Sequence, residues 1–309
     1  MISFTSSSLL TKYLYERMLL TRFVDNYICR LYMNASEEHT TTTFDSCRGY
    51  EAAQVGSALC IEVGQDFTLP YYRDLGVFLA IGMTPYEVFR THLNIHMSTI
   101  QDRTKRQTHW SYHKHNTVTG PTPVATQILH AAGIAFASKL RKVPVVTIAY
   151  CGDDIVSEPD FLEGIRFSAH HRLPIIFICE HSCQSTFSGT TSCLATHMLP
   201  ENLIHHYIDG ADVLHVYETM QHAMQQTREG QGPILLEVFV SRAQFSHSHD
   251  EEDARDPLVQ CKRMLQAQGA WDEEWLAQLQ KRLLTDVEQA MYDAMRDMQE
   301  SKKISKIST

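Results

Sequence analysis

No stretch of this sequence is apolar for long enough to cross a bilayer. The longest such runs, Val143–Cys151 and Leu173–Cys179, fall far short of the ~20 residues that a membrane helix needs. The N-terminus lacks the charged start and apolar core of a secretory leader, opening instead on Ser3, Thr5 and Ser6–Ser8, so none is expected. Excess positive charge is missing too. With 27 Lys and Arg against 36 Asp and Glu, the formal net charge is −9. That argues against a nucleic-acid partner, yet leaves room for a phosphorylated cofactor, which needs only a few well-placed donors. Zinc-site spacing is absent as well: Cys179 and Cys183 lie close together, but no second Cys/His pair repeats their interval. The eight cysteines are scattered through 309 residues, a chain too large to need disulfide staples, and a reduced, cytoplasmic setting without membrane association is the expectation. There is no internal repeat.

What is present reads as a soluble α/β protein, with 43% hydrophobic and 20% charged residues. Apolar positions at helical spacing (Leu10, Leu14, Met18, Ile28) predict an opening helix over 8–33. Small residues predict a second helix over Gly49–Cys60, placed close to other backbone, and Pro85 opens a third over Tyr86–Asn94. Between Asn94 and Thr122 the pattern dissolves into a long loop holding His109, His113 and His115, which could line a pocket. Another small-residue helix covers Pro123–Leu140. Strands are expected at Val143–Tyr150, Ile175–Cys179, Val213–Val216 and Ile234–Val240, and helices at Asp160–His170 and Tyr217–Arg228. His205 and His206 read as the surface of an amphipathic helix. After the His/Asp/Glu-rich segment Ser246–Asp256, helices run from Pro257 to about Met298, and the polar tail Glu300–Thr309 is expected to fray. Strands alternating with helices imply a doubly wound, mostly parallel sheet flanked by helices. We divide it into a 1–256 α/β domain and a 257–309 helical extension. In such sheets ligands sit beyond the carboxyl ends of the strands, which is where Gly152–Asp154 and Glu180–Gln184 fall.

Three groups of residues are suited to chemistry there. Arg73, in Tyr71-Tyr72-Arg73-Asp74, is either a two-pronged phosphate donor or half of a surface ion pair with Asp74. Asp153 and Asp154, with Ser182 and Gln184 at the neighbouring strand end, offer oxygen ligands to a hard cation such as Mg²⁺; otherwise the aspartates form a plain turn. Histidines 247 and 249, following Arg242, are either proton donors or a solvated polar loop.

The order and spacing of these pieces resemble the alpha subunit of the thiamine-diphosphate-dependent decarboxylating component of 2-oxoacid dehydrogenase complexes, the branched-chain type most of all. The likeness extends over nearly the whole chain. It is carried by Gly49-Tyr50-Glu51-Ala52-Ala53, Tyr72-Arg73-Asp74, Pro123-Val124-Ala125-Thr126-Gln127, Gly152-Asp153 with Ser157-Glu158-Pro159-Asp160-Phe161, Leu173–Glu180, Asp209-Gly210 with Asp212-Val213, and Gly269–Glu274. The resemblance implies that Tyr72, Arg73 and Arg242 grip a diphosphate, that Thr122 and Val124 support the cofactor, and that Asp153 ligates Mg²⁺ beside backbone contacts from Asp154 and Ile155. It further implies an α2β2 heterotetramer with a beta subunit, and passage of the acyl group to a lipoyl-bearing acyltransferase.

The chain departs from the family pattern at several of these positions. Asp154 stands where the family has Gly, His181-Ser182 where it has Asn-Asn, and Gln184 where it has Tyr. The metal ligands expected are therefore Asp153, Ser182 and Gln184. Phe245 and Ser246 occupy the positions of the catalytic-loop histidines, leaving His247, one residue further on, as the general acid–base candidate. Acetoin or pyruvate as substrate, and a non-catalytic scaffold or regulator, are the alternatives to a branched-chain enzyme.

Overall fold

The computed structural model describes residues 7–36, 44–97, 115–118, 125–155, 158–182, 199–240 and 254–307. Within them lie five strands: β1 (Phe67–Leu69), β2 (Thr147–Gly152), β3 (Ile175–His181), β4 (Ile204–Asp209) and β5 (Ile234–Phe239). They form one sheet in the order β1-β2-β3-β5-β4, parallel throughout. The helices are α1 (Ser7–Ser36), α2 (Glu51–Ala58), α3 (Leu75–Ala80), α4 (Pro85–Met97), α5 (Thr126–Leu140), α6 (Pro159–His170), α7 (Val213–Arg228), α8 (Pro257–Ala267) and α9 (Glu273–Ile307). This is the helix-flanked parallel sheet that the alternation implied.

Burial explains which strands were easy to read. Every residue of β2 and β3 is buried, and strands covered on both faces select the β-branched and apolar runs that the sequence displays there. Register is fixed by the pairs Thr147 with Ile175 and Ile176 with Ile234. The edge strands are different. β1 has three residues and was not anticipated. β4, Ile-His-His-Tyr-Ile-Asp, is half exposed, so His205 and His206 belong to a strand and not to a helix surface. Val213–Val216, read as a strand, is instead the first turn of α7. Its start is set by Asp212, whose carboxylate accepts from the His215 N–H at 3.0 Å, and its buried positions 213, 216, 217, 220 and 224 follow helical spacing. At the other end of the chain, α9 continues through Ile307, so the tail is helical where fraying was expected.

The small residues of α2 serve packing inside the chain. All eight are buried, and a Cβ on Gly56 would lie 3.0 Å from both the Val213 carbonyl and a Val216 methyl, so only glycine admits α7 this close. A buried ion-pair group locks the start of this helix: Arg22 of α1 pairs with Glu51 and, at 3.0 Å, with Asp256. Asp256 in turn caps α8 through the Leu258 N–H at 2.9 Å. Glu51 also accepts from the Gly49 N–H at 2.7 Å. The Gly-Tyr-Glu stretch thus owes its glutamate to structure. α9 packs on α4 and α1, with Tyr86 donating to Asp297 at 2.6 Å.

Six cysteines lie among the described residues, all with free thiols: Cys29, Cys47, Cys151, Cys179 and Cys261 buried, and Cys60 partly so. Burial raises the pKa of Cys29 and Cys261 to about 12 and that of Cys47, Cys60 and Cys179 well above the ordinary thiol value. No helix among the described residues is long and apolar enough to cross a membrane.

Candidate cofactor site at the carboxyl ends of the strands

Beyond the end of β1 the chain turns through Tyr71–Asp74 into α3. Neither Arg73 nor Asp74 is a surface residue: their relative exposures are 7% and 0%, which removes the surface ion pair as an account of this motif. The Arg73 guanidinium lies 4.7 Å from the ring centre of Tyr50 and 5.7 Å from those of Tyr71 and Tyr72, a stacked, weakly hydrated setting that suits arginine. Its Nε has no hydrogen-bond partner, and neither has the Tyr50 hydroxyl. Burial raises the Tyr50 hydroxyl to about 12, so it is a donor at neutral pH.

At the end of β2 the chain enters a one-turn 3-10 helix, Asp153–Ile155. The Asp153 carboxylate accepts from both the backbone N–H and the hydroxyl of Ser182, each at 3.0 Å. Ser182 follows directly on β3, so the two adjoining strand ends are tied together at this point. Among the described residues no group of three or more His, Cys, Asp or Glu could hold a metal ion. Oxygen from Asp153 and Ser182 is nonetheless the donor chemistry that a hard cation bridging to a diphosphate takes.

Beneath Arg73 lie two buried acids. Asp74 accepts from the Tyr71 N–H at 2.6 Å; burial lifts its carboxyl to about 7, with that hydrogen bond and the Arg73 charge opposing. Glu180, fully buried at the end of β3, is pushed well above the ordinary carboxylate value by burial and then by Asp74, while Arg73 opposes. Its Oε1 has no partner. Buried donors and acceptors without partners are uncommon and each costs about 1–3 kcal/mol. Two of them, the Arg73 Nε and the Tyr50 hydroxyl, are donors and mark a cradle fitted to an anionic group, with Glu180 at its floor.

Of the residues singled out from sequence, the structure therefore brings together Tyr72, Arg73, Asp153, Ile155 and Ser182 at the carboxyl ends of β1, β2 and β3, with the Asp154 backbone in the 3-10 turn. Thr122, Val124, Gln184, Arg242 and His247 lie outside the described residues, as do His109, His113 and His249. Gln54 was not foreseen, and Tyr50 and Glu180 were read only as parts of the matching stretches and of the strand end Glu180–Gln184, without roles of their own. Nothing in their local sequence sets them apart, because their partners come from other elements. His181, where the family has Asn, turns away from this cradle: its Nε2 lies 3.0 Å from buried Glu237, whose other oxygen is 2.7 Å from His205. Burial alone would lower the His181 imidazole, but its contacts with Cys179 and Glu237 outweigh that and lift it to about 10.

Among known families, the dehydrogenase E1 component family matches residues 15–303. The chain belongs to that family. Individual members of the dehydrogenase E1 component family are similar at moderate identity. One is the 2-oxoisovalerate dehydrogenase subunit alpha of Bacillus subtilis (strain 168), 31% identical over 279 residues, covering 84% of this chain and 83% of that protein. The 3-methyl-2-oxobutanoate dehydrogenase subunit alpha of Mycobacterium tuberculosis (strain ATCC 25618 / H37Rv) is 29% identical over 304 residues, covering 92% and 78%. The pyruvate dehydrogenase E1 component subunit alpha of Staphylococcus aureus (strain N315) is 27% identical over 299 residues, covering 91% and 77%.

Proposed function

We propose that this chain is the alpha subunit of a branched-chain 2-oxoacid dehydrogenase and holds the diphosphate and Mg²⁺ side of thiamine diphosphate. The observation that carries the proposal is the buried Arg73, stacked on Tyr50 with its Nε unpartnered, beside the Asp153–Ser182 pair on the adjoining strand ends. A guanidinium held dry over aromatic rings with its Nε unpartnered is a preformed receptor for phosphate oxygens. Relatives named for 2-oxoisovalerate and 3-methyl-2-oxobutanoate match at 31% and 29%, against 27% for one named for pyruvate, which supports the branched-chain choice.

Bound there, thiamine diphosphate would supply the electron sink for decarboxylating a 2-oxoacid. The chain's own residues bind and orient. Arg73, the Tyr50 hydroxyl and Arg242 hold the diphosphate, with Tyr72 stacked beside Arg73. Asp153, Ser182 and Gln184 would offer oxygen to Mg²⁺, the backbone of Asp154 and Ile155 lines the turn, and Thr122 and Val124 would support the cofactor. His247 carries a proton for the substrate. We place residues 1–256 in the cofactor-binding unit and 257–309 in its helical extension, in a reducing cytoplasmic setting that fits the free thiols.

The working unit we propose is α2β2 with a beta subunit, passing the acyl group to a lipoyl-bearing acyltransferase. A face of α5 and α6 supports such a partner: Leu129, Leu140 and Phe167 are exposed at 37%, 67% and 40%, and a Cβ on Gly133 would meet nothing within 4 Å. Exposed apolar side chains of this kind are what subunit interfaces cover.

The test is substrate oxidation with an artificial electron acceptor by the chain co-expressed with its beta partner, following decarboxylation of branched-chain 2-oxoacids and pyruvate and cleavage of acetoin. Expected are activity only with both subunits, highest kcat/KM on a branched-chain acid, and at least a roughly tenfold lower turnover for His247→Ala. An assembly with no turnover, and no rise in melting temperature in millimolar thiamine diphosphate and Mg²⁺, would favour the scaffold, a reading motivated by Asp154, Ser182, Phe245 and Ser246.

A further inference from the structure

Gln54 sits fully buried in α2, and its one carboxamide meets three parts of the turn that carries Arg73. Its Oε1 accepts from the Gly76 N–H at 2.9 Å. Its Nε2 donates to the Arg73 carbonyl at 3.3 Å and, at 3.5 Å, to carboxylate oxygens of Asp74 and Glu180. The short helix α3 begins here without a side-chain cap of its own, because the Asp74 carboxylate is taken by Tyr71. Gln54 supplies an acceptor to one of the N–H groups that a helix start leaves unsatisfied. The approach is close enough to demand glycine: a Cβ on Gly76 would lie 2.9 Å from both Cβ and Oε1 of Gln54.

Tyr50 stands one turn before Gln54, whose N–H bonds to the Tyr50 carbonyl at 3.0 Å. Residues spaced four apart share a helix face. One face of α2 therefore meets Arg73 at both ends, the Tyr50 ring under the guanidinium and the Gln54 amide on the backbone carbonyl. Few side chains can replace that amide. A carboxylate would set a third acid against Asp74 and Glu180 and lose the donor, while an apolar chain would leave four buried polar groups unmet.

We infer that Gln54 is the positioning residue of the diphosphate grip, fixing the Arg73 turn against the carboxyl end of β3 so that the guanidinium is preorganised for phosphate. This rests on the reading of the cradle as a diphosphate site. Preorganisation of this kind acts on affinity for the gripped group and not on affinity in general.

The experiment is calorimetric titration of the α2β2 assembly, in Mg²⁺, with thiamine diphosphate and with thiamine monophosphate. It compares wild type, Gln54→Met, Gln54→Glu and Gly76→Ala, with apo melting curves confirming that each is folded. Gln54→Met and Gln54→Glu are expected to weaken diphosphate binding about tenfold and monophosphate binding less than about twofold, the scale of one lost buried hydrogen-bond set. Gly76→Ala, which displaces the amide from outside, should do the same. A general loosening of the fold would weaken both ligands alike, and that result overturns the assignment. So does an unchanged preference for the diphosphate in any folded variant at Gln54. Should wild type itself show no preference for the diphosphate, the site reading fails and the inference with it.

Discussion

Among the described residues two arginines are buried, and they are buried differently. Arg22, between α1 and α2, is fully answered: Glu51 takes its Nε, and Asp256 takes both terminal nitrogens at 3.0 and 3.3 Å. Burial would lower its pKa, but the paired carboxylates outweigh that and raise it further above the ordinary arginine value. Arg73 is stacked on aromatic rings with its Nε unanswered. Its acidic neighbours, Asp74 and Glu180, are themselves pushed toward the neutral form by burial. An arginine whose partners are all in place holds structure. One desolvated but left incomplete is arranged for something that arrives later.

That contrast can be tested from both sides. The largest effect is expected at Arg22: Arg22→Met strands two carboxylates in the interior and should destabilise the fold by about 3–5 kcal/mol, read from urea denaturation. Its affinity for thiamine diphosphate, measured on the folded fraction, should stay within about twofold. Loss of stability below about 1 kcal/mol would mean that the ion pairs do not organise α1, α2 and α8.

His92 sharpens the comparison from the side of a buried base. It is fully buried, beside the Tyr32 hydroxyl at 3.2 Å, and burial lowers it to about 3. The unfolded chain takes up this proton near 6.5, whereas the folded chain refuses it until about 3. Its contribution is therefore complete above pH 6.5 and declines on acidification by about 1.4 kcal/mol per pH unit. By pH 4.5 the loss is roughly 2–3 kcal/mol. His92→Gln should flatten the stability–pH curve relative to wild type across that window; parallel curves would show that His92 is not what titrates.

The smallest effect on stability, and the one aimed at function, belongs to Arg73. Arg73→Met should change the apo melting free energy by less than about 1 kcal/mol, since burial already pushes its acidic neighbours Asp74 and Glu180 toward the neutral form and the methionine keeps an apolar chain against the rings, while weakening thiamine diphosphate about thirtyfold, near 2 kcal/mol for a charge-assisted contact. If stability instead falls as far as for Arg22→Met, the distinction between the two arginines is wrong.

The same distinction shows where sequence reading reached and where it stopped. The helices α1, α5 and α6 and the central strands β2, β3 and β5 were legible because burial on one stripe or on both faces imposes a periodicity or an apolar run. β4 was misread because an edge strand keeps polar residues such as His205, His206 and Tyr207, and its alternation is too short to separate from a helix surface. Val213–Val216 was misread for the converse reason, four residues of apolar sequence looking alike in either state; the decisive signal, Asp212 as a cap, was in plain view. In the site, Arg73, Asp153 and Ser182 were recognisable by order along the chain. What sequence did not disclose was their condition. The roles of Tyr50, Gln54 and Glu180 arise only when α2 crosses the ends of β1 and β3, a meeting of segments far apart in the chain that no local pattern encodes.

The buried thiols have a use of their own. Cys29 on α1, Cys47 and Cys60 flanking α2, Cys151 and Cys179 in the sheet, and Cys261 on α8 are distributed through the layers of the fold. A thiol reacts as its thiolate and only when reached by reagent, so each of these except the partly buried Cys60 is silent until its own neighbourhood opens. With Cys183 and Cys193 replaced, and one buried cysteine retained at a time, the rate of alkylation becomes a clock for local opening at a known address. The chain thus carries built-in reporters able to rank, in the order in which they loosen, the helix that grips Arg73, the sheet beneath it and the helical wrap around both.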